Sequence, residues 1–296
     1  MRRLLMAAAV CGLVGAALAA PVPDTKPEAP KLLYASSSEM GKTKLVLANA
    51  DGTGAKDLTD DKADNVFPAW SPDGKRIAFA SDRDGTMNIY VMDADGKNVQ
   101  ALTKGQEVSR VPTWSPDGKK IAFCRATANG TQIFVMDADG KNVKQIGDGD
   151  GWDPAFSPDG KKILFTSFRS GSGFRLYVMD ADGSNTKELN GNDNPVGYVY
   201  PSWSPDGKKI TWTGRVGDAL EIFSADADGK NAKQLTKLGG LNSYAAWSPD
   251  GKQIVFHHSE GASGAFYVMD ADGGNQKVLL KDEAHVEGGR PSWKPK

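Results

Sequence analysis

Seven residues whose side chains commonly bind ligands stand just before the copies of one recurring motif. Several lie three positions before the aromatic residue that opens a copy, and the others lie one or two positions further out. The set is Arg110, Trp152, Asp153, Tyr198, Tyr200, Tyr244 and Arg290. Aromatic faces supply contact area and charged groups fix orientation, so this set predicts a site for a peptide segment or a sugar. The alternative, that they are ordinary loop residues packed against neighbouring repeats, stays open.

Histidines are the residues of this chain best suited to holding a transition metal. His257 and His258 are adjacent, and only His285 and Glu260 suggest themselves as further ligands for zinc or manganese. A packed or solvated histidine pair explains the same residues, so we predict no metal ion and no cofactor. A metal-dependent lyase or hydrolase acting on a saccharide or peptide at this place is the rival hypothesis.

Most acidic residues fall in turns. The motif Asp-Ala-Asp-Gly has five copies and one variant, which begin at Asp93, Asp137, Asp180, Asp226, Asp270 and Asn49. Two carboxylates and an asparagine in six residues resemble part of a calcium loop, but a third ligand before the glycine and a distal glutamate are missing. Turn formation explains every copy, and no carboxylate is identified as catalytic.

A repeat of 42 to 47 residues positions all of these groups. Its second marker, Trp-Ser-Pro-Asp-Gly-Lys or a variant of it, begins at Trp70, Trp114, Phe156, Trp203, Trp247 and, shortened, at Trp293. Proline and aspartate suit the central positions of a tight turn, and the glycine accepts a left-handed backbone. Each full repeat is therefore expected to contain two tight hairpins.

Bulky and small residues alternate between the turns, as Ile77 and Phe79 do with Ala78 and Ala80. Such alternation with two apolar faces is typical of a strand that is packed on both sides. A period of this length predicts an all-β fold, a six-bladed β-propeller of four-stranded antiparallel blades. The first copy lacks its innermost strand, and residues 290–293 supply one. The C-terminal strand is therefore expected to pair into the first blade and close the ring, which leaves no sheet edge open.

Variation among the copies predicts where a ligand binds. The two tight turns of each repeat share one face and are nearly identical in every copy, whereas the loops and links of the opposite face differ. Residues that serve folding alone are expected to be the same in every repeat, whereas residues of a binding site are expected to differ between repeats. The candidate residues are therefore expected around the central channel on the variable face.

The N-terminal residues resemble an export signal. Arg2 and Arg3 precede an apolar run and then small residues, with cleavage expected near Ala20. Residues 1–20 are accordingly assigned to a signal peptide, 21–30 to a proline-rich linker and 31–296 to one propeller domain. This predicts a periplasmic or secreted protein with no membrane span in the mature chain.

The charge limits the expected partners, and the cysteine content limits the expected disulfides. The formal net charge is −1 and no basic stripe stands out, so no nucleic-acid partner is expected. Cys124 is the only cysteine outside the predicted signal, and its place in a strand predicts a buried thiol without a disulfide. We expect a monomer.

The full repeat, as in residues 68–103, resembles the repeats of TolB-type β-propellers, and the resemblance extends over residues 31–296. TolB itself belongs to the periplasmic Tol–Pal system of the cell envelope. Prolyl-oligopeptidase-like enzymes carry similar propellers beside a hydrolase domain, and a related pectate-type lyase group holds a metal through several histidines. One propeller fold thus hosts many functions.

The resemblance and the candidate residues together favour an exported, non-catalytic binding protein. Its expected partner is a protein segment or another cell-envelope component, a peptide or a saccharide, bound at the channel mouth. A metal-dependent enzyme and a pure scaffold without a binding site are the alternatives.

Overall fold

Every regular element in the part of the chain that the structure describes is a β-strand. The computed structural model describes residues 30–37, 41–60, 62–171, 173–189, 197, 199–261, 263–282 and 289–295. The predicted signal peptide, and the predicted linker apart from Pro30, lie outside those residues. None of the described residues belongs to a helix long and apolar enough to cross a membrane.

Four sheets of four strands follow one another along the chain. Sheet 1 contains β1 (Lys31–Ser37), β2 (Thr43–Asn49) and β3 (Lys56–Asp57), with β24 (Ser292–Trp293) beside β1. Sheet 2 contains β4 (Asn65–Trp70), β5 (Arg76–Ser81), β6 (Asn88–Asp93) and β7 (Gln100–Ala101). Sheet 3 contains β8 (Ser109–Trp114), β9 (Lys120–Thr127), β10 (Gly130–Asp137) and β11 (Lys144–Ile146). Sheet 4 contains β12 (Trp152–Phe156), β13 (Lys162–Ser167), β14 (Arg175–Asp180) and β15 (Lys187–Glu188).

The remaining strands form one eight-stranded sheet, whose two halves we name sheets 5 and 6. Sheet 5 contains β16 (Val199–Trp203), β17 (Lys209–Val216), β18 (Ala219–Asp226) and β19 (Lys233–Gln234). Sheet 6 contains β20 (Leu241–Trp247), β21 (Gln253–Glu260), β22 (Ser263–Asp270) and β23 (Lys277–Asp282).

The sequence predicts separate four-stranded units, so the fusion of sheets 5 and 6 into one sheet differs from the prediction. One parallel pairing, between Leu220 and Leu241, joins them. The Leu220 N–H also donates to the Gly240 carbonyl at 2.9 Å. Gly239 and Gly240 have φ of 74° and 60°, a backbone that glycine adopts without strain. These glycines turn the segment between β19 and β20 so that it runs beside β18.

Residues on both faces of the sheets are buried, as the alternation in the sequence predicts. In β5, Ile77, Ala78, Phe79 and Ala80 are all fully buried. Such burial on both faces requires a neighbouring sheet on each side. The fully buried side chains gather in clusters between successive sheets, and Phe79, for example, packs with Leu33 of sheet 1.

Sheet 1 also packs against sheet 6. Leu32 and Tyr34 of β1 share a buried cluster with Val255 and Phe266. The rings of Tyr34 and Phe266 have centroids 5.0 Å apart. The first sheet is therefore covered on its other face by the last.

The Ser-Pro-Asp-Gly turns are closed by a repeated side-chain network. In the first copy the Ser71 hydroxyl donates to the Asp73 carboxylate at 2.6 Å and accepts from the Arg76 N–H at 2.9 Å. The pairs Ser115–Asp117, Ser157–Asp159, Ser204–Asp206 and Ser248–Asp250 repeat the first of these bonds. Local side-chain bonding to the turn thus explains why serine and aspartate recur there.

The Asp-Ala-Asp-Gly turns have an equally local explanation. The Asn98 side chain donates to the Asp93 carboxylate at 2.6 Å, and Asn98 itself has a φ of 55°. Asparagine tolerates this left-handed backbone better than most residues. The same bond recurs in the other four full copies, so their first aspartate and their asparagine are used within the turn.

The glycine of each Asp-Ala-Asp-Gly turn touches the outer edge of the preceding sheet. A Cβ on Gly96 would lie 2.6 Å from the Leu58 carbonyl oxygen, just beyond β3. The same close approach to the preceding sheet recurs at Gly140, Gly183, Gly229 and Gly273. In sheet 1 the corresponding glycine, Gly52, meets Leu279 and Leu280 of β23.

Three of the recurring tryptophans link neighbouring inner strands. The indole N–H of Trp114 donates to the Ala69 carbonyl at 3.2 Å, and Trp203 donates to Ala155 at 3.1 Å. Trp293 donates to the Ala246 carbonyl of β20 at 3.3 Å. The last motif copy therefore makes the same link as Trp114 and Trp203 do.

The C-terminal strand β24 pairs antiparallel with β1. Trp293 lies opposite Leu32, and Ser292 lies opposite Leu33. The Lys294 N–H also donates to the Lys31 carbonyl at 2.9 Å. The inner strand of sheet 1 thus comes from the far end of the described chain.

Candidate ligand-binding site

A β-bulge interrupts five of the inner strands at the position three residues before the motif aromatic. In β4, for example, Val66 faces Ala80 and Ala69 faces Ala78, so one residue is extra. The extra position has a φ between 52° and 59° at Phe67, Val111, Asp153, Tyr200 and Tyr244. Non-glycine residues rarely adopt this backbone, and for a β-branched valine it is an outlier.

The bulge residues of different sheets meet at the centre of the molecule. Phe67, Val111 and Tyr244 come from sheets 2, 3 and 6 and belong to one buried cluster, against which Tyr200 of sheet 5 packs. Residues of so many sheets touch only where the inner strands converge. The bulges therefore form a layer of side chains across the central axis.

One side of this layer is polar and aromatic. The rings of Tyr200 and Tyr244 have centroids 4.2 Å apart, and the Tyr244 hydroxyl donates to the Tyr200 hydroxyl at 3.3 Å. The Asp153 carboxylate accepts the Tyr200 N–H at 3.3 Å and the Thr166 hydroxyl at 3.3 Å. Arg290 lies close enough for its charge to act on both Asp153 and Tyr244.

Burial shapes the electrostatics of this layer. Asp153 is only 6% exposed, and burial raises the pKa of its carboxyl, against the opposing effects of the Tyr200 N–H and of Arg290. Burial also raises the pKa of the Cys124 thiol to about 12, with the charge of Asp153 adding to the shift. The prediction that Cys124 is a buried free thiol is confirmed.

Replacing Asp153 by asparagine is expected to raise the melting temperature at about pH 8 and to change it little at about pH 3. A raised pKa means that the folded protein holds this proton more tightly than the unfolded chain. The wild-type protein therefore loses stability as the pH rises above the ordinary carboxyl range, because Asp153 must then ionise where it is buried. The asparagine oxygen accepts the same two bonds without a buried charge. Thermal melts across this pH range measure the effect, at roughly 2–4 °C per kcal/mol.

Asp159 provides the matched control for that experiment. It lies in a Ser-Pro-Asp-Gly turn, where the Ser157 hydroxyl lowers the pKa of its carboxyl. A lowered pKa contributes stability above the ordinary carboxyl range, so Asp159→Asn is expected to lower the melting temperature at neutral pH. Equal shifts of one sign in both variants would contradict the role of burial at Asp153.

The structure separates the predicted site residues by depth. Asp153 and Tyr244 are buried in the bulge layer, Tyr200 and Arg290 are half-buried, and Arg110 is exposed. Trp152 is 37% exposed at the start of β12. Tyr198 lies outside the described residues. The predicted set thus contains an inner group within the layer and an outer group towards the variable loops.

Two aromatic residues beside Trp152 were not predicted. Phe174 meets the Trp152 ring edge-on at 5.9 Å, and it also contacts Phe168, which is 50% exposed. Phe168 stands directly after β13, where sheet 2 has Asp82 after β5. Comparing the second-to-third loops copy by copy could have shown this replacement of an acid by an aromatic ring.

A cavity that the sequence did not predict lies on the other side of the bulge layer. It has a volume of about 320 Å³, and Arg290 lies on its wall. The other lining residues follow the bulges towards the uniform turns, and they include Trp70, Trp114, Pro72 and Pro205. The open space at the axis is thus on the turn side, opposite to the predicted variable face.

The two adjacent histidines point to opposite sides of β21, and each packs on an aromatic ring. His257 is fully buried and meets Phe266 edge-on at 5.1 Å. His258 contacts Tyr267, and its Nδ1 lies 2.9 Å from the Asn242 side-chain oxygen. Among the described residues, which exclude His285, no group of three or more histidine, cysteine or acidic side chains is arranged to hold a metal.

Antiparallel sheets stacked face to face around converging inner strands define a β-propeller domain. Residues 9–129 and 103–296 match the family described as the TolB beta propeller domain, and together they cover most of the chain. The chain therefore belongs to the TolB beta propeller domain family. The predicted resemblance to TolB-type propellers is confirmed.

Solved structures agree with this assignment. TolB from Acinetobacter baumannii superposes with a TM-score of 0.79 at 27% identity, over 90% of this chain and 67% of that one. A putative TolB from Agrobacterium tumefaciens gives a TM-score of 0.70 at 19% identity, over 90% of this chain and 97% of that one, which shows the fold alone.

A curated relative has an enzyme's name. Dipeptidyl-peptidase 5 of Porphyromonas gingivalis is 40% identical over 68 residues, which are 21% of this chain. The matched segment spans only 10% of that peptidase. The similarity is therefore confined to a small part of its length.

Proposed function

We propose that this protein is an exported, non-catalytic binding protein built on a closed six-bladed propeller. Its partner is a protein segment or another cell-envelope component, and it binds on the variable face at the mouth of the central axis. The observation that carries the proposal is the asymmetry of the bulge layer. Phe67 and Val111 make one part of it apolar, whereas Asp153, Tyr200 and Tyr244 make the other polar and aromatic.

Contacts between sheets 1 and 6 support the closed ring. β24 completes sheet 1, and Trp293 bonds to β20 of sheet 6. Gly52 meets β23 as the equivalent glycines meet their preceding sheets. A Cβ on Gly74 would lie 3.6 Å from Pro295, and a Cβ on Gly118 would lie 3.7 Å from Pro72 in the next turn pair. Each contact between internal neighbours thus has a counterpart between the first and last sheets.

The strained backbone of the bulge layer supports a binding role. Left-handed non-glycine residues cost about 1–3 kcal/mol each, and such strain is concentrated at functional sites. The left-handed residue recurs in five of the six sheets, and its residue type differs among them. The concentration of tyrosine, aspartate and arginine on one side fits recognition of a polar, extended segment.

The outer residues supply a surface for the partner. Arg110 is exposed, and the exposed rings of Trp152 and Phe168 pack on the half-buried Phe174 next to the bulge layer. Tryptophan and arginine dominate the energetics of many protein interfaces. An aromatic platform beside charged groups suits either a peptide or a saccharide.

The N-terminal residues support export of the protein from the cytoplasm. The charged and then apolar N-terminal residues have the order of a cleavable signal, and the family includes TolB proteins. We therefore place the mature protein outside the cytoplasm, as a periplasmic or secreted monomer.

Binding is tested by a pull-down from a cell-envelope extract with purified protein. The variant Arg110→Ala/Trp152→Ala removes exposed side chains at the mouth and is expected to weaken capture by about tenfold or more. Tyr200→Phe/Tyr244→Phe removes only the two hydroxyls and is expected to have a smaller effect in the same direction. Captured proteins are quantified by mass spectrometry and then retested individually by calorimetry.

The control variant Lys119→Ala/Lys161→Ala changes exposed residues of the uniform turns. It is expected to capture the same partners as the wild type. If the mouth variant also retained every partner at unchanged affinity, the proposed site would be wrong.

A further inference from the structure

The cavity on the turn side of the bulge layer has walls of one chemical kind. Rings of tryptophan and proline make up most of its lining, with Trp70, Trp203, Trp247 and Pro249 among them. Among the described residues that line it, Arg290 is the only charged one. The remaining polar lining consists of hydroxyl side chains such as Ser202 and Thr113. The cavity therefore offers hydrogen-bond donors and a positive charge, but no carboxylate.

The guanidinium of Arg290 has donor capacity to spare. It carries five N–H groups, and its one hydrogen bond to a described residue is a long one, from Nη2 to the Pro201 carbonyl at 3.4 Å. Asp153 acts on it through space, but no ion pair within 4 Å forms between them in the described structure. A partly buried cation with so few hydrogen bonds and no close ion pair favours an anion beside it.

Two of the indole groups around the cavity differ from the others in their hydrogen bonding. The N–H groups of Trp70 and Trp247 are buried and have no hydrogen-bond partner among the described residues. In Trp114, Trp203 and Trp293 the equivalent N–H donates to a neighbouring inner strand. Buried donors without partners are rare and costly in native proteins. Both indole rings line the cavity, but their N–H groups are not exposed to its open space, so it is the ring faces that a ligand would meet.

We propose that this cavity binds the carboxylate of an apolar acid, with Arg290 as the carboxylate's partner and the tryptophan and proline rings around its body. The volume of about 320 Å³ suits a small molecule or one residue of a peptide. The shared chemistry is a carboxylate attached to an apolar or aromatic group. A free aromatic acid and the C-terminal residue of a peptide both provide it.

This site opens towards the uniform turns, so it is separate from the proposed partner surface on the variable face. Arg290 is shared by both, because it lies between the bulge layer and the cavity. The mouth variant Arg110→Ala/Trp152→Ala leaves the cavity unchanged and is expected to bind the acid as the wild type does. Failure of one proposal is therefore distinguishable from failure of the other.

The first test compares an acid with its amide on the wild-type protein. N-acetyl-phenylalanine and N-acetyl-phenylalanine amide differ only in the charge of the group that faces Arg290. The acid is expected to bind at least about tenfold more tightly, and to bind less tightly at high salt. Tryptophan fluorescence reports binding directly because the cavity is lined by indoles, and calorimetry confirms the stoichiometry. Equal affinities, or no binding of either compound, would overturn the proposal.

The second test changes the cation. Arg290→Gln is expected to abolish the preference for the acid, whereas Arg290→Lys retains the charge and most of the preference. Arg215→Gln, an exposed arginine on β17, is the matched control and is expected to behave as the wild type. An unchanged preference in Arg290→Gln would contradict the assignment.

A third comparison identifies the source of the carboxylate. A short peptide ending in phenylalanine is measured with a free and with an amidated C-terminus. Binding of the free peptide at least as tight as that of the acetylated residue points to peptide ends as the ligand. Much weaker binding of the peptide points to free acids. Both results leave the carboxylate site in place, and equal binding of the free and amidated peptides would contradict it.

Discussion

Removing residues 288–296 is expected to lower the melting temperature by roughly 10 °C or more and to promote aggregation. The deletion removes β24, so the edge of β1 loses its partner. It also removes Trp293, which is only 9% exposed and packs with Leu32 and Tyr34. Loss of a buried tryptophan alone typically costs about 3–5 kcal/mol. Calorimetry combined with light scattering measures both effects.

Point variants separate the strand from its tryptophan. Trp293→Ala keeps the backbone pairing and loses the indole, so an intermediate loss of stability is expected. Trp152→Ala, at an exposed tryptophan, is the matched control and is expected to change the melting temperature by little. A cooperative melt of the deleted chain at the wild-type temperature would show that the first and last sheets do not depend on one another.

Gly96→Ala is expected to cost about 3 kcal/mol or more of unfolding free energy, whereas Gly85→Ala costs about 1 kcal/mol. The two glycines lie in the same sheet and have nearly the same backbone, with φ of 90° and 93°. A Cβ on Gly96 would lie 2.6 Å from the Leu58 carbonyl oxygen, and a Cβ on Gly85 would meet nothing within 4 Å. The pair therefore shares the backbone strain and differs in the contact between sheets.

Chemical denaturation of both variants measures that difference. The excess cost at Gly96 reports how rigidly sheet 2 is held against sheet 1, because a carbonyl of the backbone cannot move aside as a flexible side chain can. Equal costs in the two variants would mean that the sheets separate easily and that the repeat spacing is not set by this contact.

Local chemistry explains why so much of the fold was predictable. The serine, proline and aspartate of Ser71–Asp73 bond within their own turn, and Asn98 bonds to Asp93 five residues away. Interactions over so few residues leave a recurring signature in the sequence. Two of the four residues predicted to form a strand at 290–293 do so, in β24 (Ser292–Trp293), which the motif aromatic marks even in a shortened copy.

The bulge layer left only a partial signature, because a proline follows four of its five residues and alanine follows Tyr244. Phe67, Val111 and Asp153 share a left-handed backbone, yet no residue type common to them predicts it. Ordinary propensities disfavour this conformation, particularly for valine. The conformation is imposed by the pairing of each inner strand with its neighbour, which leaves one residue over.

The sequence by itself determined the strands, the hairpins, the order of the repeats and the residues available at their inner ends, because turn chemistry and side-chain alternation act between near neighbours. Only the tertiary structure decided the depth of Asp153 and Tyr244, the fusion of sheets 5 and 6, and the cavity beside Arg290. These features depend on how strands distant in the chain converge at one axis. That convergence places Arg290 between the bulge layer and the cavity, a position that no spacing along the chain encodes.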